Sequence, residues 1–224
     1  GEIYVRRDDF AVDELVKHFS KKGIIAKVSG VSEWIYYCDF IREYEYKKAI
    51  KLAPWYKKLF IPEVWSLLRF FIEQWYKHRV EKKVKQALQR TQLIPDTPHD
   101  MHHIMDMSQK HFVDLELQSE ITVSSGVAAT AMQDGYSGIV NISPFACLIG
   151  RVIEGILTPW ARIQGYPVMS VEIDGNALPP TTLNKLEIFM LNVMRFKEKP
   201  EMKEVVEHPA QTAVAIDRKI IKDL

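Results

Sequence analysis

The sequence is poor in cysteine, with only Cys38 and Cys147 among its 224 residues. Two cysteines cannot build the several disulfides of a small secreted scaffold, so the expected compartment is the reducing cytoplasm. No apolar run reaches the roughly 18–20 residues that a membrane-spanning helix needs. The net charge is only +1, which gives the chain as a whole no attraction to polyanions. We therefore expect no membrane span and no nucleic-acid partner.

The sequence signatures of several common enzyme classes are also missing. The chain contains no Gly-x-Gly-x-x-Gly fingerprint, no P-loop and no Gly-x-Ser-x-Gly nucleophile elbow. Its hydrophobic content of 47% is nevertheless ordinary for a globular protein and sufficient for a core. The chain begins at Gly1, and residues 2–5 already have the composition of a strand, which predicts a piece of a longer protein.

Strand and helix patterns alternate near both ends of the chain. Apolar runs predict four strands, at 2–6, 24–28, 138–142 and 168–173. Helical periodicity predicts helices at 11–22, 120–132, 147–164 and 181–195. Such alternation is typical of an α/β protein. We predict one α/β domain over residues 1–224, with a flavodoxin/Rossmann-like parallel sheet of about four strands in the order 2-1-3-4.

Residues from about 33 to 115 interrupt the alternation with an aromatic and basic helical pattern. We interpret them as a helical insertion between strands 2 and 3, and residues 197–224 as a charged C-terminal tail. Residues 40–90 carry thirteen Lys and Arg against five Glu, a net charge of +8. Such a segment can bind anionic phosphates, such as the nucleotide tail of coenzyme A, a membrane surface or an acidic partner.

A simpler interpretation of the insertion is favoured. Apolar side chains recur in it at helical spacing, at Trp65, Leu68, Phe71, Ile72 and Trp75. This periodicity predicts a helix that buries an apolar stripe in a core and exposes its basic residues to solvent.

The most informative stretch surrounds Cys147. A predicted strand ends at Ser143-Pro144, and Cys147 follows just before a helical pattern begins. Strand, turn, cysteine and helix in this order place a thiol at the carboxyl end of a sheet, where ligands bind and a helix N-terminus favours an anion. A cluster ligand, a reactive thiol and a small core residue all remain open for Cys147.

Several motifs together carry a resemblance to a known family. They lie at residues 1–6, 31–34 and 117–129, in the run NISPFAC at 141–147 followed by Gly150, and in VEIDG at 171–175 after the next strand. The chain resembles the 2-hydroxyacyl-CoA dehydratase superfamily, in particular the C-terminal region of its large activase-related proteins. The resemblance covers residues 1–37 and 115–196, and the Pro-Phe-x-Cys piece is its most specific part.

The resemblance implies a lobe of an iron–sulfur protein of anaerobic metabolism. Such a lobe would serve low-potential electron transfer or the radical dehydration of 2-hydroxyacyl-CoA, as part of a lyase or of its electron-supplying partner, and would not be active alone. Cys147 is implied as a ligand of a [4Fe–4S] cluster, in a pocket shaped by Glu2, Glu33, Ser143, Pro144 and Phe145. No catalytic residue is assigned.

The remaining cluster ligands are implied to come from outside this chain, because one cysteine cannot hold a cluster. They would belong to the rest of a full-length protein or to a homologous subunit, and acyl-CoA would be a further ligand. The alternative is a non-catalytic interaction module, which docks a partner subunit through the basic helical insertion and in which Cys147 is inert.

Overall fold

A computed structural model describes residues 5–56, 62–89 and 100–197. The chain divides into two compact units. Of the described residues, 5–34 and 102–197 belong to the first unit, and 35–56, 62–89 and 100–101 to the second.

Most of the described residues are helical. The α-helices are α1 (Asp9–Lys21), α2 (Val31–Leu52), α3 (Pro62–Gln89), α4 (Met101–His111), α5 (Glu120–Gln133), α6 (Leu148–Gln164) and α7 (Pro180–Lys197). The strands are β1 (Ile139–Pro144) and β2 (Val168–Ile173), and short 3-10 turns occupy Val5–Arg7 and Leu115–Leu117. Within these ranges, no helix is both long and apolar enough to cross a membrane.

The sheet of the first unit has two strands, which run parallel from the pair Ile139–Val168 to the pair Pro144–Ile173. Helix α6 connects them. In the described part of the chain no other strand joins this sheet. The prediction of a four-stranded flavodoxin/Rossmann-like sheet in the order 2-1-3-4 is therefore wrong. The described part of the chain is predominantly helical and contains one parallel strand–helix–strand segment.

The two N-terminal strands account for the error. Residues 2–4 lie outside the described residues, and Val5–Arg7 forms a 3-10 turn beside β1. Residues 24–28 have no regular secondary structure and belong to no sheet. Ile24 and Ala26 pack against the core, whereas Ile25 is 96% exposed. Alternation of buried and exposed residues is typical of a strand. Here it results from packing against the core alone, and no strand of the described residues forms backbone hydrogen bonds with this segment.

Helices cover both faces of the two-stranded sheet. On one face, Met169, Val171 and Ile173 of β2 pack in a cluster with side chains of α1 and α7. The other cluster joins α5 and α6, with Trp160 only 1% exposed and its ring centroid 5.0 Å from that of Phe112. This burial of both faces is what a parallel strand pair requires.

Small residues let α4 and α5 approach closely. A Cβ on Gly126 would lie 2.2 Å from the carbonyl oxygen of Ile104, so only glycine fits this contact. Beside it, the hydroxyls of Ser108 and Ser125 are 2.9 Å apart and buried. Small residues on α5 thus allow its close packing against α4.

The second unit contains α3 and most of α2, and polar contacts link the two helices. Lys77 of α3 lies 2.8 Å from the buried carboxylate of Asp39, and Tyr36 donates a hydrogen bond to Glu81. Phe70 and Tyr37 are the buried aromatic side chains of this unit in the described residues. The predicted core stripe of α3 is not buried: Trp65, Leu68, Phe71, Ile72 and Trp75 are all exposed.

Candidate functional site around Cys147

Cys147 stands between the carboxyl end of β1 and the start of α6. It is the N-cap residue of α6, with a half-buried side chain that makes no capping hydrogen bond to the helix. Its backbone N–H donates to the carbonyl of Pro144 at 3.2 Å, and its own carbonyl accepts from the N–H of Arg151 at 3.0 Å. The predicted position of the thiol, at a strand's carboxyl end and a helix N-terminus, is confirmed.

The turn before Cys147 holds an unusual backbone conformation. Ala146 has φ of 57°, in the left-handed region that a residue with a Cβ rarely adopts. This conformation costs about 1–2 kcal/mol relative to the right-handed one. Strain of this kind persists only where the surroundings enforce it, and it concentrates at functional sites.

Glu172 of β2 holds the strained turn from the neighbouring strand. One of its carboxylate oxygens accepts the N–H of Ala146 at 3.1 Å, and the other lies 2.6 Å from the guanidinium of Arg151 on α6. The N–H of Phe145 also donates to the carbonyl of Ile173 at 2.9 Å. Strand β2 and helix α6 therefore fix the backbone that presents Cys147.

Behind the turn, α6 approaches β1 too closely for any residue but glycine. A Cβ on Gly150 would lie 2.3 Å from the Cβ of Ser143. The buried amide of Asn141 donates to the carbonyl of Gly150 and to the hydroxyl of Ser170, each at 3.3 Å. Asn141, Gly150, Arg151 and Glu172 were not among the predicted pocket residues, although all of them except Arg151 belong to the motifs that carry the resemblance.

The predicted pocket residues are placed differently from one another. Ser143 is buried and Pro144 ends β1. Phe145 is 70% exposed. Glu33 lies in a buried polar network, 3.0 Å from Arg6, which also donates to Ser124 at 3.2 Å. Glu2 lies outside the described residues.

Two exposed apolar side chains lie close to Cys147 in the sequence. Phe145 precedes the turn, and Leu148, which begins α6, is 77% exposed. Large apolar side chains that are exposed next to each other are typical of a surface that another molecule covers. The turn and helix start that hold Cys147 therefore carry two exposed apolar side chains suited to contact.

The described residues supply one thiol to this site. They contain no group of three or more His, Cys, Asp or Glu placed to share a metal ion. Cys38 lies on α2 in the other unit, and partial desolvation of its thiol, followed by the charge of Asp39, raises its pKa. Iron–sulfur clusters take three or four thiolates, and Cys147 is a single thiol.

Comparisons with protein-family models, with curated proteins and with solved structures give no match for this chain.

Proposed function

We propose that residues 1–34 and 102–197 form one lobe of an iron–sulfur protein similar to the 2-hydroxyacyl-CoA dehydratases and their activase-related proteins. Cys147 is one thiolate ligand of its cluster, and the other ligands come from outside this chain. The observation that carries the proposal is the position of Cys147, half-buried at the N-cap of α6 and flanked by exposed Phe145 and Leu148. The proposed compartment is the cytoplasm.

The lobe's own residues position and shield the ligand. When bound, such a cluster supplies low-potential electron transfer or radical dehydration of a 2-hydroxyacyl-CoA. Glu172 and Arg151 hold the turn so that the thiol of Cys147 keeps one direction. Phe145 and Leu148 would exclude water where a second lobe closes over the thiol, because both are apolar and exposed.

Iron and sulfide analysis of the longest natural form of the protein tests this proposal. We would purify it without oxygen and measure iron, acid-labile sulfide, the visible spectrum and the paramagnetic resonance spectrum after reduction. Cys147→Ser should lose iron or alter the resonance spectrum, because one ligand is replaced. The matched control is Cys38→Ser, the chain's other cysteine, which should leave both unchanged.

Two results would contradict the proposal. One is an iron-free, colourless protein after anaerobic purification. The other is a cluster whose iron content and resonance spectrum are the same in Cys147→Ser as in the unaltered protein.

A second candidate function is a non-catalytic module that docks a partner subunit through α2 and α3. The observation that favours it is the exposure of the aromatic side chains of α3, among them Trp65 and Trp75 at 64% and 61%. In this case Cys147→Ala would change only the packing stability of the first unit, and the isolated chain would still bind its partner.

A further inference from the structure

The exposed side of α3 carries one continuous stripe of side chains. We call it the α3 stripe, and it consists of Trp65, Leu68, Ile72, Trp75, Tyr76, Arg79, Lys82 and Lys83. These positions share one side of a helix with 3.6 residues per turn. The opposite side, with buried Phe70 and with Lys77 and Glu81, contacts α2. The stripe is therefore what α3 presents outside its own helix pair.

The N-terminal part of the stripe is apolar and exposed. Its five side chains are between 53% and 64% exposed, and they are Trp65, Leu68, Ile72, Trp75 and Tyr76. Eleven helical steps from Trp65 to Tyr76 correspond to about 17 Å. A monomeric protein rarely exposes contiguous apolar side chains over such a length without a binding partner.

The C-terminal part of the stripe is cationic. Arg79, Lys82 and Lys83 lie together with Trp75 around a shallow groove, and the guanidinium of Arg79 sits 5.2 Å from the centre of the Trp75 ring. The other described cations of α3 have carboxylate partners, as Lys77 has Asp39, Lys85 has Glu81 and Arg69 has Glu73. Among the residues the structure describes, Arg79, Lys82 and Lys83 form no ion pair with a carboxylate.

We propose that the α3 stripe binds an acidic amphipathic α-helix of a partner protein. Such a helix presents apolar side chains every three to four residues against Trp65 to Tyr76, and its next turns bring carboxylates to Arg79, Lys82 and Lys83. This arrangement buries the apolar half and supplies the carboxylates that the three cations lack. The inference deepens the second candidate function and rests on it, and it is independent of the role of Cys147.

The distribution of charge favours a helix over a membrane surface. A helix that lies in a bilayer interface carries its cations along the edges of the apolar face or on the opposite side. Here Arg79 lies on the same side of α3 as the apolar residues. Insertion of the helix into a bilayer to a depth that buries Trp75 would therefore also bury the charge of Arg79. The opposite side of α3 is covered by α2.

The same distribution disfavours single-stranded nucleic acid. Such ligands bring a phosphate at every nucleotide and need cations interleaved with stacking aromatics. In the stripe the cations are gathered at one end, Leu68 and Ile72 have no base-stacking role, and Glu73 lies on α3 beside the apolar half.

Peptide binding to the full chain tests the proposal. The probes are two labelled synthetic helices of about 20 residues, with leucines at helical spacing and glutamates in the last two turns of one and in the first two turns of the other. We expect one of them to bind with a fluorescence anisotropy change. Lys82→Glu/Lys83→Glu should weaken binding about tenfold or more, because attraction becomes repulsion, and Leu68→Asp should weaken it similarly.

The controls use changes of the same kind elsewhere in the chain. Lys17→Glu/Lys185→Glu reverses two exposed charges on α1 and α7 and should leave binding unchanged, as should Cys147→Ser. Circular dichroism confirms that each variant is folded. A peptide with lysines in place of the glutamates should not bind.

Three outcomes would overturn the proposal. The first is the absence of binding by both acidic peptides. The second is equal binding of the lysine peptide. The third is binding of anionic phosphatidylserine vesicles or of single-stranded RNA that Lys82→Glu/Lys83→Glu abolishes while neither peptide binds. In the third outcome α3 would still be a docking surface, and only the proposed class of partner would be rejected. This result therefore differs from a failure of the second candidate function, in which α3 would bind nothing.

Discussion

The two units of this chain use apolar side chains in opposite ways. In the first unit they fill two clusters on the two faces of the sheet, with side chains such as Leu15, Leu186 and Trp160 almost fully buried. In the described residues of the second unit, Tyr37, Phe70 and Met101 are buried, whereas most of the large apolar side chains of α3 are exposed. Polar and ionic contacts link α2 and α3.

This difference shows why hydrophobic content alone does not indicate a core. Both units are rich in aromatic and aliphatic residues, but helix α3 has them around its whole circumference. Among the described residues, α2 contacts one side of this helix. The apolar residues of the first unit therefore stabilise its fold, and those of α3 are available to another molecule.

Replacing one tryptophan in each unit should give the largest contrast. Trp160→Ala should lower the free energy of unfolding by about 3–5 kcal/mol, because it empties a fully buried site. Trp65→Ala removes an exposed ring and should change stability by about 0.5 kcal/mol or less. Urea denaturation followed by circular dichroism measures both, and a similar loss in the two variants would contradict the comparison.

Two glycines of α6 offer a matched test of packing in the first unit. Gly150→Ala should destabilise by about 1–3 kcal/mol, since the added methyl group overlaps Ser143. At Gly155 a Cβ meets nothing within 4 Å, so Gly155→Ala should stabilise the helix by about 0.5–1 kcal/mol. Thermal unfolding shows whether each substitution raises or lowers the stability. A stabilising Gly150→Ala would refute the close contact of α6 with β1.

In the second unit the corresponding change removes a buried charge. Asp39 is 5% exposed and accepts two hydrogen bonds from Lys77. Asp39→Ala should cost about 1 kcal/mol, because hydrogen bonds to charged groups are strong but Lys77 is partly hydrated. Hydrogen exchange should localise the lost protection to residues 35–89, and an equal loss in β1 and β2 would contradict this.

The smallest effect we expect is a pH dependence of the α2–α3 pair. Burial alone would raise the pKa of Glu81, but hydrogen bonds from Lys85 and Tyr36 outweigh it and lower this pKa below its ordinary value. A lowered pKa gives stability that is present above the unfolded value, about 4.3, and lost as the pH falls through the folded value.

Comparison of Glu81→Gln with the unaltered chain isolates this contribution. Hydrogen exchange of residues 62–89 should show a difference near neutral pH that shrinks as the pH falls below about 4. Tyr36→Phe should reduce the effect, because it removes one of the two donors. A difference that does not vary with pH would show that Glu81 stabilises the pair in another way.

The sequence predicted local elements well where turn residues bound an apolar run. Strand β2 lies at the predicted residues, and α6 ends at Gly165 in the left-handed conformation. The sheet was overestimated because residues 24–28 have a strand's alternation but pair with no strand of the described residues. The burial of α3 was mispredicted because periodicity shows which residues share a side, not whether another element covers that side.

The candidate site, too, could be predicted only where its residues are contiguous in the chain. The position of Cys147 could be predicted because strand, turn and helix are contiguous in the chain. The hydrogen bond of Glu172 to the turn could not be predicted, because it depends on the strand register that places Ser143 opposite Glu172. Contacts between neighbouring strands require this register, which a single sequence does not contain.

The first unit is built from two separate stretches of the chain, and this bears on how it folds. Strand β1, helix α6 and strand β2 are contiguous, but α1 completes its cluster with Leu186 and Phe189 of α7, which lie far along the chain. Closing that long loop costs entropy, although each doubling of its length adds only about 0.6 kcal/mol. Because contacts between distant residues form slowly, we expect β1–α6–β2 to form early and α1 to dock last. We therefore expect the docking of the N-terminal segment to be the step that limits the folding rate.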